Sequence, residues 1–291
     1  MSIQSNNPKV KIEVKKVEDL IDRLADNVDE VKASEEFKAW LKTTAKFHNY
    51  SYYNTMLIMI QNENATKVAG FQQWKKNFER HVNKGEKAIS IFCPIFKKVK
   101  VENDEGEEGY EKRLVSFRLV KVFDVAQTSG KELPENPHKR IGGNEFSGLY
   151  DSLKAVADRM GIDIEENQLA NSCGGFSANG KIVINTENDA TDKAHVLSHE
   201  IAHEILHWNG EKPARNIMEL EAEAVAFVVS TCFGMSAGYH SSTYLASWKA
   251  DRDNLKASME RIRNTAKRII DGVNDLGVVK ALKIERKAIA A

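Results

Sequence analysis

The run His195-Val-Leu-Ser-His199-Glu200-Ile-Ala-His203-Glu-Ile-Leu-His207 constrains this chain more than any other stretch. Val196, Leu197, Ile201, Ile205 and Leu206 are the apolar positions of a packed helix. Four residues make about one helical turn, so His199 and His203 project from the same face. Two imidazoles so placed can both coordinate one tetrahedral zinc ion, and HExxH is the signature of that arrangement. Glu200, one residue past His199, does not share its direction. It can still lean toward water beside the metal and take a proton from it as a general base. His195 and His207 extend the ladder and are expected as neighbours of the site, not as ligands.

A catalytic zinc needs a third protein ligand and an open position. Candidates follow in Glu219-Leu-Glu221-Ala-Glu223, which reads as part of the next helix. Glu219 and Glu223 are spaced i, i+4 and share a face, whereas Glu221 points elsewhere. Glu219 is the expected ligand and Glu221 the alternative. Glu223, one turn on, is placed to accept the free N–H of a ligating histidine, which fixes the tautomer and basicity of that ring.

At 291 residues the chain has length for two domains, and its 42% hydrophobic and 29% charged residues predict a packed core rather than disorder. The cysteines Cys93, Cys173 and Cys232 are odd in number, widely spaced and form no CxxC pair. A disulfide framework or thiolate zinc site is therefore not expected, and a reducing cytosol fits. The opening MSIQSNNPKVKIEVKK has no apolar signal-peptide core, and no apolar run is long enough to cross a bilayer. The expectation is a soluble cytoplasmic protein with no membrane partner.

The formal net charge of +0 conceals a separation. From Phe37 to Lys100 there are twelve Lys/Arg against three acids, a local excess of nine positive charges. Such a basic segment suggests a polyanion-binding module. Aromatics are interleaved with these charges. Unpaired bases stack on aromatic faces while a cationic groove follows their phosphates. Phe37, Trp40 and Phe47 read as core. Tyr50, Tyr52 and Tyr53, beside a helix break at 49–51, are the expected stacking residues, with Trp74. Lys75, Lys84 and Lys87 are the expected phosphate contacts, the last two in a turn before a strand.

Periodicity predicts helices over 17–30, 34–47 (with Ser34 as N-cap), 53–61 and 71–78, then strands over 88–96 and 114–125 around an exposed acidic hairpin loop. Residues 126–143 hold two of the five prolines and three glycines and read as an interdomain linker. Beyond it come a helix over 144–160, a strand over 181–185 after the turn signal Asn179-Gly180, long helices over 190–208 and 216–233, and further helix over 241–248 and 251–270. The Lys-rich stretch 275–291 reads as a helical end prone to fray.

Several of these stretches resemble the ArdC-type antirestriction family. The run Phe47-His-Asn-Tyr-Ser-Tyr-Tyr-Asn-Thr-Met-Leu-Ile-Met-Ile-Gln61, then Ala65 to Phe71, Trp74, Lys84-Gly-Glu-Lys-Ala-Ile89 and Val122-Phe-Asp-Val-Ala-Gln-Thr128 are similar to its N-terminal domain. HExxH, Glu219-Leu-x-Ala-Glu223 and Tyr244-Leu-Ala-Ser-Trp248 are similar to its C-terminal domain. The resemblance implies an α+β protein of two domains. One, at 1–125, would have helices with an antiparallel sheet and bind single-stranded DNA. The other, at 144–291, would be a mostly helical zincin-like metallopeptidase fold with a small sheet, related to ImmA/IrrE proteins. It also implies Zn2+ held by His199, His203 and Glu219, an unidentified protein or peptide substrate, and an antirestriction role on a mobile genetic element in a bacterial host. Two other readings stay open: a non-catalytic DNA-protecting protein with a structural metal, and a regulatory protease that cleaves a repressor.

Overall fold

The computed structural model describes residues 7–26, 30–102, 108–133, 147–170, 173–208, 212–235 and 251–289. By contact density the chain divides into two units, Met1–Asp22 with Tyr53–Leu133 and Arg23–Tyr52 with Pro134–Ala291. The architecture is α+β, as the sequence leads one to expect. Among the described residues, no helix is long and apolar enough to cross a membrane.

Helix α1 (Pro8–Asp26) opens the first unit and buries Val10, Val17, Leu20 and Ile21. Helix α2 (Glu30–Lys46) groups with the second unit, and α3 (Tyr52–Gln61) returns to the first. There follow β1 (Val68–Gly70), α4 (Phe71–Asn77), β2 (Arg80–Val82), β3 (Ile89–Glu102), β4 (Glu108–Asp124) and β5 (Thr128–Gly130). The main sheet is antiparallel in the order β1-β4-β3, and β2 pairs with β5 in a small second sheet. Because β3 is an edge strand, its outer backbone groups need other partners. Two amides on α3 supply them. Asn54 Oδ1 accepts from Phe92 N–H at 2.8 Å while its Nδ2 donates to Phe92 C=O at 2.9 Å. Gln61 does the same for Ser90, both bonds 2.9 Å. β1 covers β4 only at residues 122–124, so β3 and β4 continue beyond it as a two-stranded ribbon with a bulge at Ile95/Phe96.

The second unit contains α5 (Ser147–Arg159), β6 (Asp163–Asn167), β7 (Gly175–Ser177), β8 (Lys181–Asn185), α6 (Ala190–Leu206), α7 (Arg215–Cys232) and α8 (Arg252–Ile289). Its small sheet runs β6-β8-β7, with β6 parallel and β7 antiparallel to β8. Asn179 and Gly180 close the β7–β8 hairpin with φ of 50° and 91°, the left-handed pair that an Asn-Gly turn supplies at low cost. Helix α7 is the centre: it is buried from Leu220 to Ser230 except at Glu223 and packs against α2, α6 and α8.

Several boundaries move from their sequence expectation. Helix α2 starts at Glu30, so Ser34 lies inside it and does not cap it. Good helix formers upstream (Glu30, Lys32, Ala33) carry the helix back past the expected cap. Phe37, Trp40 and Leu41 are core, as expected, but it is the core of the unit that holds α7. The contact-defined units therefore cut across the linear 1–125 and 144–291 division. The first part of the expected linker is ordered: Thr128–Gly130 is β5, held antiparallel to β2. Residues 134–143 and 241–248, with the Tyr244–Trp248 motif, lie outside the described residues.

Glu166 on β6 fixes the strand to the two helices beside it. Its carboxylate accepts from Lys193 of α6 at 2.8 Å, Lys154 of α5 at 3.2 Å and the Tyr150 hydroxyl at 3.1 Å. Lys193 above all, with Lys154 and Tyr150, outweighs burial and holds its pKa down to about 2. A carboxylate depressed on folding contributes stability above its unfolded pKa and loses it as pH falls through the folded value. Glu166→Gln should therefore be less stable than the parent at pH 5–7, with the difference closing as pH drops from about 4.5 toward 2. Urea denaturation across that range measures it; an equal loss at pH 7 and pH 2 would mean that shape, not charge, is what Glu166 provides.

Candidate metal centre

Helix α6 is capped at its N-terminus by Asp189, whose side chain accepts from Asp192 N–H at 2.8 Å. It buries Ala194, Leu197, Ser198, Ile201 and Ala202, and this apolar side sets the opposite face, with His199 and His203, toward α7. The two Nε2 atoms are 3.0 Å apart. Glu219 Oε2 on α7 lies 3.5 Å from His199 Nε2 and 3.6 Å from His203 Nε2. Ligand atoms of a tetrahedral ion with bonds of about 2.0–2.1 Å stand about 3.3–3.4 Å from one another, so these three donors fit one metal ion. They are the one such group among the described residues.

The outer rings of contact fix which nitrogens are free. His199 Nδ1 faces Glu223 Oε2 at 3.4 Å, so it carries the proton and leaves the Nε2 lone pair toward the triad. The same Glu223 oxygen meets His195 Nε2 at 3.3 Å, which accounts for His195 as a neighbour. On the other side His203 Nδ1 contacts His207 Nδ1 at 3.0 Å, and His207 Nε2 contacts Glu221 Oε2 at 3.1 Å. A carboxylate only accepts, so His207 donates from Nε2 and accepts at Nδ1. His203 then donates from Nδ1, and its Nε2 is the one left for a metal. Glu221, fully buried, is not beside the triad; it is held by Arg261 and Ser258 of α8.

Charge follows this geometry. Hydrogen bonds to His199 and His203 hold Glu219 well below the usual carboxylate range. Burial opposes ionisation of Glu223, yet His195 and His199 bring it down to about 2. Burial also disfavours a charged His199, but Glu219 and Glu223 outweigh it and raise the ring to about 9. Glu200 goes the other way: burial pushes its carboxyl up, and the charges of His199 and His203, with a smaller share from Ser177 of β7, only partly offset that. Triad and Glu200 line one cleft of about 470 Å3, with Phe176, Ser177, Trp208, Lys212 and Met218 around it. Gly175 lets β7 approach α6 there, since a Cβ would sit 2.8 Å from a Val196 methyl.

Sequence reasoning missed the path from Glu221 through His207 to His203. Its signal was a lone carboxylate on the apolar side of α7, which must find a buried cation. The expected stacking residues need correction. Tyr52 and Tyr53 are 6% and 5% exposed, and Trp74 is fully buried with its Nε1–H donated to Phe123 C=O at 2.9 Å. These rings are core because α3 and α4 turn them inward, so they cannot take a base. Tyr50 is half-buried edge-on to Phe47, ring centres 6.0 Å apart. Lys75, Lys84 and Lys87 are exposed.

The tautomer path makes a measurable claim. Glu221→Gln keeps the shape at 221 but can present an N–H to His207 Nε2, which undoes the proton order. Metal affinity by chelator competition should fall roughly 10- to 100-fold. Unchanged affinity in a variant of unchanged melting temperature would show that His203 is oriented without Glu221.

Comparison with known proteins agrees with this anatomy. Residues 14–125 match a family model described as the N-terminal domain of anti-restriction factor ArdC, and residues 157–257 match one described as an IrrE N-terminal-like domain, a peptidase-class family. An uncharacterized Bacillus anthracis protein is 26% identical over 314 aligned positions, covering 92% of this chain and 53% of its own, so the chain spans about half the length of this curated relative. The fold is similar to crystal structures of the antirestriction protein ArdC from the R388 plasmid. The metal-free form gives a TM-score of 0.53 at 20% identity, covering 88% of this chain and 97% of that one. The Mn(II)-bound form gives 0.53 at 19% identity, covering 89% and 96%. Two domain families thus match the chain in the order of its sequence motifs, an ArdC-type N-terminal domain over 14–125 and an IrrE-like domain over 157–257, and its fold is similar to that of the R388 protein.

Proposed function

We propose that the IrrE-like domain is a zinc-dependent peptidase site and that the ArdC-type domain holds single-stranded DNA, together serving antirestriction during DNA transfer. The observation that carries the enzymatic half is the triangle of His199, His203 and Glu219 with Glu200 beside it in one cleft. A zinc ion bound there would acidify water and polarise a carbonyl. His199 and His203 would hold it through Nε2, and Glu219 through Oε2. Glu200 takes a proton on its carboxylate and returns it to the leaving amide nitrogen; the burial that raises its pKa suits it to both directions. Edge strand β7, with Ser177 beside Glu200, offers unpaired backbone along the cleft to an extended peptide. The Mn(II) named for the R388 relative leaves the identity of the ion here to be settled by metal analysis of protein purified without chelator.

The resemblance to ImmA/IrrE proteins carries a second reading, in which one particular protein is the target. The same variant tests both. Glu200→Gln should retain its metal and lose cleavage of a mixed peptide library by about 10²- to 10⁴-fold, followed by mass spectrometry. If Glu200→Gln protects incoming DNA in cells as well as the parent does, peptide cleavage is not how the protein works.

A further inference from the structure

Outside the metal cleft, one face of the β3–β4 ribbon has a composition that folding does not require. Directly opposite residues of an antiparallel pair share a face, and along each strand the faces alternate. Beyond the bulge the register is Phe96↔Leu114, Lys98↔Lys112 and Lys100↔Tyr110. One face therefore carries two aromatic rings with three lysines between and beside them. Phe96 is 55% exposed and Tyr110 69%, and Lys98, Lys100 and Lys112 are exposed. The rings sit four strand positions apart, about 13 Å at strand rise.

We propose that this face is where single-stranded DNA lies, its bases stacked on Phe96 and Tyr110 and its phosphates held by Lys98, Lys100 and Lys112. The proposal rests on the reading of the ArdC-type domain as a single-strand binder and names the surface that does it. Charge complementarity is its first support. Lys98 stands directly opposite Lys112, with Lys100 two positions farther along the same face. Like charges so paired weaken a ribbon, and a bound phosphate chain relieves them. The second support is the pair of rings. Exposed aromatics serve unpaired bases, which have open faces, whereas a duplex hides them. The ribbon's end sets the limit of the surface. The paired register ends at Glu102↔Glu108, and the sequence from 102 to 108 is acidic where the positions before it carry lysines.

The test is fluorescence anisotropy on the full chain with a labelled oligothymidine strand and, separately, its duplex with oligoadenine. Phe96→Ala and Tyr110→Leu should each weaken single-strand binding roughly 5- to 150-fold, the range of one base–aromatic stack, while Tyr110→Phe retains it. The double variant Lys98→Gln/Lys112→Gln should lower the salt slope by about 1.4, close to 0.7 for each lost phosphate contact. These side chains are exposed, and circular dichroism checks that the fold is kept. If the parent binds no single strand, the domain reading fails and the surface with it. If the parent binds, the ribbon variants match it and the triple variant Lys75→Gln/Lys84→Gln/Lys87→Gln loses binding, the domain reading stands and this surface is wrong. Duplex bound as tightly as single strand, with no effect of the ring variants, would also overturn it.

Discussion

Everything at the candidate centre depends on how α6 meets α7. Each helix sets ionisable side chains at the seam, and those side chains have no place in a hydrocarbon interior unless they satisfy one another. Two imidazoles from one helix and one carboxylate from the other close to within 3.0–3.6 Å. With Glu223 and Glu200 alongside, three carboxylates meet the imidazoles of α6 there. Such a cluster favours a positive charge at its centre, which a proton on His199 supplies and a divalent cation supplies better.

The three glutamates of α7 show how position on one helix divides labour among identical side chains. Glu219 and Glu223, one turn apart, both face α6; the first reaches the Nε2 atoms and the second the Nδ1 of His199. Glu221 faces the other way and is fully buried. A carboxylate so buried costs several kcal/mol unless it is paired, and Arg261 and Ser258 pair it. The result is that α8, which offers no ligand among the described residues, takes part in orienting His203. Glu200 differs from all three: its pKa is raised where those of Glu219 and Glu223 are lowered. Carboxyls driven apart in this way are suited to different work, one group to hold a cation and the other to carry a proton.

Much of this was legible in the sequence because helical spacing is strict. The i, i+4 rule placed His199 with His203 and Glu219 with Glu223, and the structure brings all four together. The strand Lys181–Asn185 was legible from its apolar run and the Asn-Gly turn before it. Strands of three residues were not, since β1, β2, β5 and β7 are too short to show a period. Both strands of the ribbon were read short at the hairpin end for a different reason: residues 97–102 and 108–113 are charged like a loop yet pair residue by residue. Tyr52, Tyr53 and Trp74 were misread because composition counts aromatic rings without saying which way the helix turns them. Burial is decided by the neighbouring elements, and α1 contributes Glu18 to meet the Tyr53 hydroxyl.

Exposed lysines on the ribbon have a plainer explanation than nucleic acid. A two-stranded extension has open edges, and charge along such edges discourages pairing with another chain. Asn54 and Gln61 protect the edge of β3 at Ser90 and Phe92, but farther out on β3 lysines are what remains. That account covers Lys97, Lys98 and Lys100; it does not cover Phe96 and Tyr110. An exposed aromatic on an open edge promotes the association that the lysines oppose, so edge protection alone would select against both rings. A surface on which bases stack and phosphates are neutralised calls for rings and lysines together. The two explanations thus part at the aromatic residues and not at the charged ones.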